Sequence, residues 1–145
     1  MLDPRETIGD IGEKVVQEFF NSTRSNYKFD EEKDGTIEQF TYQVKAFRLN
    51  KVTQSFWLSN NKTKKLWENI DKVGLLFFVR NPENETDLAE LYLAIDQKNS
   101  WFKAYRNDGT PCRAYPLTKC LKLYNISREY SDKLYKLSSR LRSVP

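Results

Sequence analysis

The 145-residue chain contains no histidine. This removes Ser-His-Asp and Cys-His nucleophile pairs, His-ligated zinc and non-haem iron, and every histidine general base. Catalysis, if any, runs on carboxylates, lysines, hydroxyls or a hard metal ion. Cysteine is scarce as well: Cys112 and Cys120 are too few for a four-thiolate zinc site or a secreted disulfide framework, so a reducing compartment is expected. The five glycines and five prolines are scattered, with no linker, repeat or low-complexity tract. No long hydrophobic run exists, the longest being residues 73–79, and the first residues carry acids without an apolar leader core. The expectation is a cytoplasmic protein with no membrane partner.

What is present suffices for a core. Apolar residues make up 39 % and aromatics 14 % of the chain, and this length buries roughly 68–70 % of the unfolded surface without a disulfide or structural metal. A single domain over residues 1–145 is expected. The net charge of +4 conceals an asymmetry. Residues 1–40 carry 5 basic and 10 acidic side chains, residues 41–80 carry 8 and 2, and residues 98–145 carry 11 and 3. Acids early and cations later suit a metal pocket bordering a polyanion-binding surface, although such charges taken singly most often serve solubility.

Ile8, Ile11, Val15 and Phe19 recur every three or four residues, which predicts an amphipathic helix over 7–20, capped near Asp3 or Thr7, with Glu13 half-buried at the edge of its stripe. The Lys33-Asp34-Gly35 turn leads into β-favouring sequence through Arg48, interrupted at Glu38-Gln39, where a tight hairpin is permitted. A short strand at 55–58, a basic helix over 60–71, a doubly buried strand over 73–80 and strands near 88–95 and 101–105 follow. Asn107-Asp108-Gly109 before residues 112–117 reads as a hairpin, and Tyr130, Leu134, Leu137 and Leu141 mark a closing helix from about Ser127. This order makes a mixed α/β (α+β) fold with a central mixed sheet flanked by helices.

The chemistry concentrates early. Strand alternation puts Gln43 and Lys45 on one sheet face and Tyr42, Val44 and Ala46 on the other. If Asp34 begins the hairpin partner of that strand, its carboxylate reaches the Gln43–Lys45 face, and Glu13 approaches from the helix. Two carboxylates, an amide oxygen and the Val44 carbonyl are hard ligands suited to Mg²⁺, with Mn²⁺ as a substitute. Lys45 beside them would orient or deprotonate an attacking water and stabilise phosphate charge. Asp30 competes with Asp34, standing 13 rather than 9 residues before Gln43; the Gly35 turn feeding the strand favours Asp34.

Ile11-Gly12-Glu13, Lys33-Asp34-Gly35-Thr36-Ile37 and Tyr42-Gln43-Val44-Lys45 together resemble the PD-(D/E)xK nuclease superfamily. The likeness extends more loosely to Phe56-Trp57-Leu58, the following helix and the 73–80 strand. It implies a restriction-endonuclease-like fold and a metal-dependent DNA endonuclease of restriction or homing type. Asp34 matches the motif aspartate, Gln43 the second acidic position, Lys45 the motif lysine and Glu13 the helix acid. Two positions depart from the pattern: Lys33 replaces proline, and Gln43 replaces a carboxylate. The QxK variant occurs in active homing endonucleases, but it lowers the ligand charge by one unit.

Arg48, Lys51, Lys62, Lys64, Lys65, Arg106 and Arg113, with Lys119 and Lys122, are candidate phosphate contacts. DNA is the expected partner, and a homodimer or homotetramer is expected because cutting two strands takes two sites. Two rival functions share the fold. One is a catalytically inactive nucleic-acid-binding or assembly protein, and the other a Holliday-junction-resolvase-like nuclease.

Overall fold

The computed structural model describes residues 7–20, 23–24, 35–37, 40–47, 49–50, 54–59 and 74–142. The expected 60–71 helix lies outside them. Helix α1 (Ile8–Phe20) is closed at its N-terminus by a reciprocal cap. The Asp10 amide donates to Thr7 Oγ1 at 3.2 Å, and the Thr7 amide donates to Asp10 Oδ2 at 3.0 Å. Two otherwise orphaned donors are thereby satisfied, which fixes Thr7 as the cap.

Three strands follow, β1 (Thr23–Arg24), β2 (Gly35–Ile37) and β3 (Phe40–Phe47), paired antiparallel in turn. Ile37 faces Phe40, so the β2–β3 connection is the Glu38-Gln39 dipeptide. The chain then changes sheets: β4 (Leu49–Asn50) and β5 (Ser55–Ser59) form a second sheet. It returns at β6 (Leu75–Arg80), which runs parallel to β3 with Gln43 opposite Leu76 and Lys45 opposite Phe78. Parallel neighbours cannot be joined by a tight turn, and the long excursion through the second sheet is what separates them.

β7 (Glu90–Ala94) extends the first sheet, β8 (Phe102–Tyr105) and β9 (Pro111–Pro116) extend the second, and β10 (Cys120–Asn125) closes the first. The sheet orders are β1-β2-β3-β6-β7-β10 and β4-β5-β9-β8. Helix α2 (Arg128–Arg142) ends the described chain. The molecule is α+β. Where the sequence suggests one helix-flanked sheet, the described residues form two, and most of the 55–58, 101–105 and 112–117 segments belongs to the second.

Each face of the first sheet has its own cover. Tyr42, Val44, Phe77 and Val79 pack with Ile11, Val15 and Val16 of α1 and Leu134 of α2. Leu76, Phe78, Tyr92 and Ala94 pack with Phe56, Leu58 and Tyr115 of the second sheet. This is why residues 73–80 carry no alternation: β6 is buried on both faces. The second core is aromatic, with ring centroids 5.0 Å apart for Phe56–Phe78, 5.1 Å for Phe78–Tyr115 and 5.2 Å for Trp101–Tyr115. Such pairs contribute about 0.5–1.5 kcal/mol each beyond area burial. No helix among the described residues is long and apolar enough to cross a membrane.

Candidate functional site

The site is built on the middle of β3. Tyr42 and Val44 face the helices, so the intervening positions turn to the second sheet, where Gln43 shares a face with Leu76 and Lys45 with Phe78. Gln43 is 6 % exposed, and its Oε1 has no hydrogen-bond donor. Lys45 is half-buried. An amide oxygen withdrawn from water without a donor keeps its lone pairs available, and leaving it so costs about 1–3 kcal/mol.

β2 registers with β3 from Ile37 to Gly35, so its described pairing stops at Tyr42, next to Gln43. Asp34 and its rival Asp30 lie outside the described residues, Asp34 being the chain neighbour of Gly35. Glu13 is half-buried on α1, the helix that covers the Tyr42–Val44 face, so the sheet stands between the core-facing side of α1 and the Gln43–Lys45 face. The structure thus puts Gln43 and Lys45 on one face and Glu13 on an element packed against the other. No cluster of three or more acidic or cysteine side chains able to hold a metal is found among the described residues. The ligand set expected from the sequence has two carboxylates, of which Asp34 lies outside the described residues and Glu13 is on the helix over the opposite face. The orphaned Gln43 oxygen is the observation that fits a hard cation.

Of the candidate phosphate contacts, Arg48, Lys51, Lys62, Lys64 and Lys65 fall on residues whose side chains are not described. Arg106 is exposed and Arg113 half-buried. Lys122 has a structural partner: its Nζ lies 2.6 Å from Glu90 Oε2, while Arg80 Nη1 donates to Glu90 Oε1 at 2.7 Å. Burial works to raise the Glu90 carboxyl pKa, but hydrogen bonds from Lys122 and Arg80 outweigh it and hold the group below its ordinary range. Sequence alone gives no sign of this triad, because its members are brought together by the β6-β7-β10 register.

Two open grooves flank the 81–88 loop, one of about 490 Å³ against α2 and one of about 410 Å³ beside Arg80 and Glu90; neither includes Gln43 or Lys45. Arg128 fastens that loop, donating to the carbonyls of Glu85 at 2.9 Å and Thr86 at 3.0 Å. Both cysteines are reduced, and burial pushes the Cys120 thiol up to about 12, which leaves it unsuited to nucleophilic chemistry. No protein-family model, curated protein or solved structure matches the chain.

Proposed function

We propose that this protein is a metal-dependent DNA endonuclease of the PD-(D/E)xK type with a restriction-endonuclease-like fold, hydrolysing phosphodiester bonds as a homodimer or larger homo-oligomer. The observation that carries the reading is the pairing of Gln43 and Lys45 on one face of a central strand, with Gln43 Oε1 buried and lacking a donor. Asp34, Gln43 Oε1 and the Val44 carbonyl would hold Mg²⁺ or Mn²⁺; Glu13, the fourth ligand expected from the sequence, stands on the helix that covers the opposite face of the sheet and is left out of the set. When bound, the ion lowers the pKa of water and offsets phosphate charge.

The chain's own groups do the rest. The Lys45 ammonium donates hydrogen bonds to a non-bridging phosphate oxygen and to the attacking water, fixing the water in line with the leaving oxygen. Water adds its oxygen to phosphorus and releases a proton to solvent, the bond to one sugar oxygen breaks, and that oxygen takes up a proton from solvent and leaves as a hydroxyl. Asp34 orients the water through its protons. The basic balance of residues 41–80 and 98–145 supports a polyanionic substrate.

Gln43 in place of a carboxylate supports a second reading, a non-catalytic DNA-binding or assembly protein of the same fold. Incubating the full chain with Mg²⁺ or Mn²⁺ and a panel of linear, supercoiled and branched DNA decides between them. Cleavage that disappears with Asp34→Ala is the result expected. Binding without cleavage of any substrate leaves the second reading, and preference for the branched substrate marks a junction resolvase.

A further inference from the structure

β8 is the outermost strand of the second sheet, and with β9 it forms a ribbon whose two faces differ. Phe102 and Ala104 pair with Ala114 and Cys112 on one face. Lys103 pairs with Arg113, and Tyr105 with Pro111, on the other. Arg113 is also opposite Leu58, which packs against the first sheet. The Lys103–Tyr105–Arg113 face is therefore the one directed towards the first sheet, the side on which that sheet carries Gln43 and Lys45. Yet this end of the ribbon is open: Tyr105 is 64 % exposed, and Lys103 and Arg106 are exposed too.

Lys122 and Arg128 are occupied by Glu90 and Asp132 respectively. Among the described residues, Lys103, Arg106 and Arg113 are in no ion pair. Arg106 sits on a fixed turn, its amide donating to the Thr110 carbonyl at 2.9 Å and its carbonyl accepting from the Gly109 amide at 2.8 Å. The turn's backbone is thus held before any partner arrives, which lowers the main-chain entropy lost on binding. The described pairing of β9 with β5 ends at Cys112, so the tip from Tyr105 to Pro111 projects as a two-stranded hairpin, narrow enough to enter a duplex major groove about 12 Å wide, with Lys103 and Arg113 at its base.

We propose that the β8–β9 hairpin is the duplex-docking arm of this protein, setting Lys103, Arg106 and Arg113 against DNA phosphates and Tyr105 against the groove, on the same side as Gln43 and Lys45. The choice of DNA as partner rests on the nuclease reading; the location and residues rest on the ribbon. Lys103 and Tyr105 share a face by strand alternation, whereas their place beside Arg113 follows from the register of β8 against β9, which the sequence does not state.

The test measures binding of a fluorescent 30-base-pair duplex to the full chain, in Ca²⁺ to suppress turnover, over a range of salt concentrations. Wild type is compared with Lys103→Ala/Arg106→Ala and with Lys133→Ala/Lys136→Ala, which removes equal charge from α2 on the helix-covered side. Each lost phosphate contact lowers the log–log salt slope by about 0.9, so the hairpin variant should lose about 2 in slope while the α2 variant retains the wild-type value. Arg113→Ala should subtract about one more. An unchanged slope in the hairpin variant, equal losses in both double variants, or no duplex binding by wild type overturns the arm. Cleavage by wild type in Mg²⁺ is scored separately. A hairpin-dependent slope without cleavage upholds the arm and sinks the nuclease reading; cleavage with a hairpin-independent slope does the reverse.

Discussion

Gln43 faces Leu76 across the parallel β3–β6 junction, and at 6 % exposure its Oε1 is buried beside a fully enclosed leucine with no donor to satisfy it. Asn81 Oδ1 and Ser138 Oγ are buried without a partner as well, and what distinguishes Gln43 is Lys45 on the same face; a divalent cation bound there would repay the cost. Without divalent metal, Gln43→Met should be neutral or stabilising, by up to about 1–3 kcal/mol, because it removes the orphaned acceptor at similar volume. With Mg²⁺, wild type should gain thermal stability and Gln43→Met should not. Gln43→Glu, which buries a carboxylate, should be weaker than wild type without metal and gain more from Mg²⁺. Melting curves with and without Mg²⁺ read all three, and a Gln43→Met protein as responsive as wild type removes Gln43 from the metal's surroundings.

Asp34→Ala and Lys45→Ala should each reduce Mg²⁺-dependent cleavage by about 10²–10³-fold, the effect of losing one electrostatic partner of the transition state. DNA affinity should stay within a few-fold, since phosphate binding is spread over many cations. Single-turnover cleavage beside equilibrium binding separates the two effects. An Asp34→Ala protein that cuts like wild type refutes the site.

The local elements are legible where one physical period dominates. The α1 stripe, the doubly buried β6 and the Asn107-Asp108-Gly109 hairpin are each set by neighbours a few residues apart in sequence. β10 escapes such reading because a bulge between Lys122 and Tyr124 breaks its alternation and Leu121 is 53 % exposed at the sheet edge. The second sheet escapes for another reason: Phe56 meets Tyr115 across a pairing of distant segments, and nothing in either strand states which sheet it joins. The same packing explains Gln43. Alternation places it with Lys45 on a polar-looking face, but only the position of Phe56 and Tyr115 in a covering sheet reveals that this face is largely core.

Acid should unfasten the sheet edge at Glu90. Its folded pKa is held below the ordinary glutamate value of 4.5, so the stabilisation is present above that value and is lost as pH falls through the folded one. Glu90→Gln should lower stability at neutral pH by about 1–2 kcal/mol and flatten the acid limb of the stability–pH profile. Arg80→Met should cost more than Lys122→Met, because the Lys122 side chain is 46 % exposed against 29 % for Arg80. Denaturant unfolding from pH 3 to 7 measures this, and parallel profiles for wild type and Glu90→Gln contradict it.

Neither thiol should react in the folded protein. Cys112 is 2 % exposed, and burial raises both thiol pKa values, Cys120 to about 12, so thiolate is scarce at pH 8. A chromogenic disulfide reagent should titrate both cysteines in denaturant and neither, within minutes, in native buffer. A fast native phase would mean that this part of the second core opens readily.

The tip of the β8–β9 ribbon offers a purely backbone test. Gly109 has φ +87°, where L side chains are strained, and a Cβ built there meets nothing within 4 Å. Any penalty for Gly109→Ala is therefore conformational rather than steric contact with neighbours, about 1–2 kcal/mol. The same substitution loosens the turn that holds Arg106, whose carbonyl accepts from the Gly109 amide at 2.8 Å. If the ribbon docks DNA as a prearranged element, Gly109→Ala should weaken duplex binding while leaving the salt slope unchanged, because every phosphate-contacting cation is still present. Lys103→Ala/Arg106→Ala changes the slope instead. Comparing the two variants by anisotropy distinguishes lost order from lost charge, and a Gly109→Ala protein that is destabilised yet binds with wild-type affinity shows that the turn's rigidity plays no part in docking.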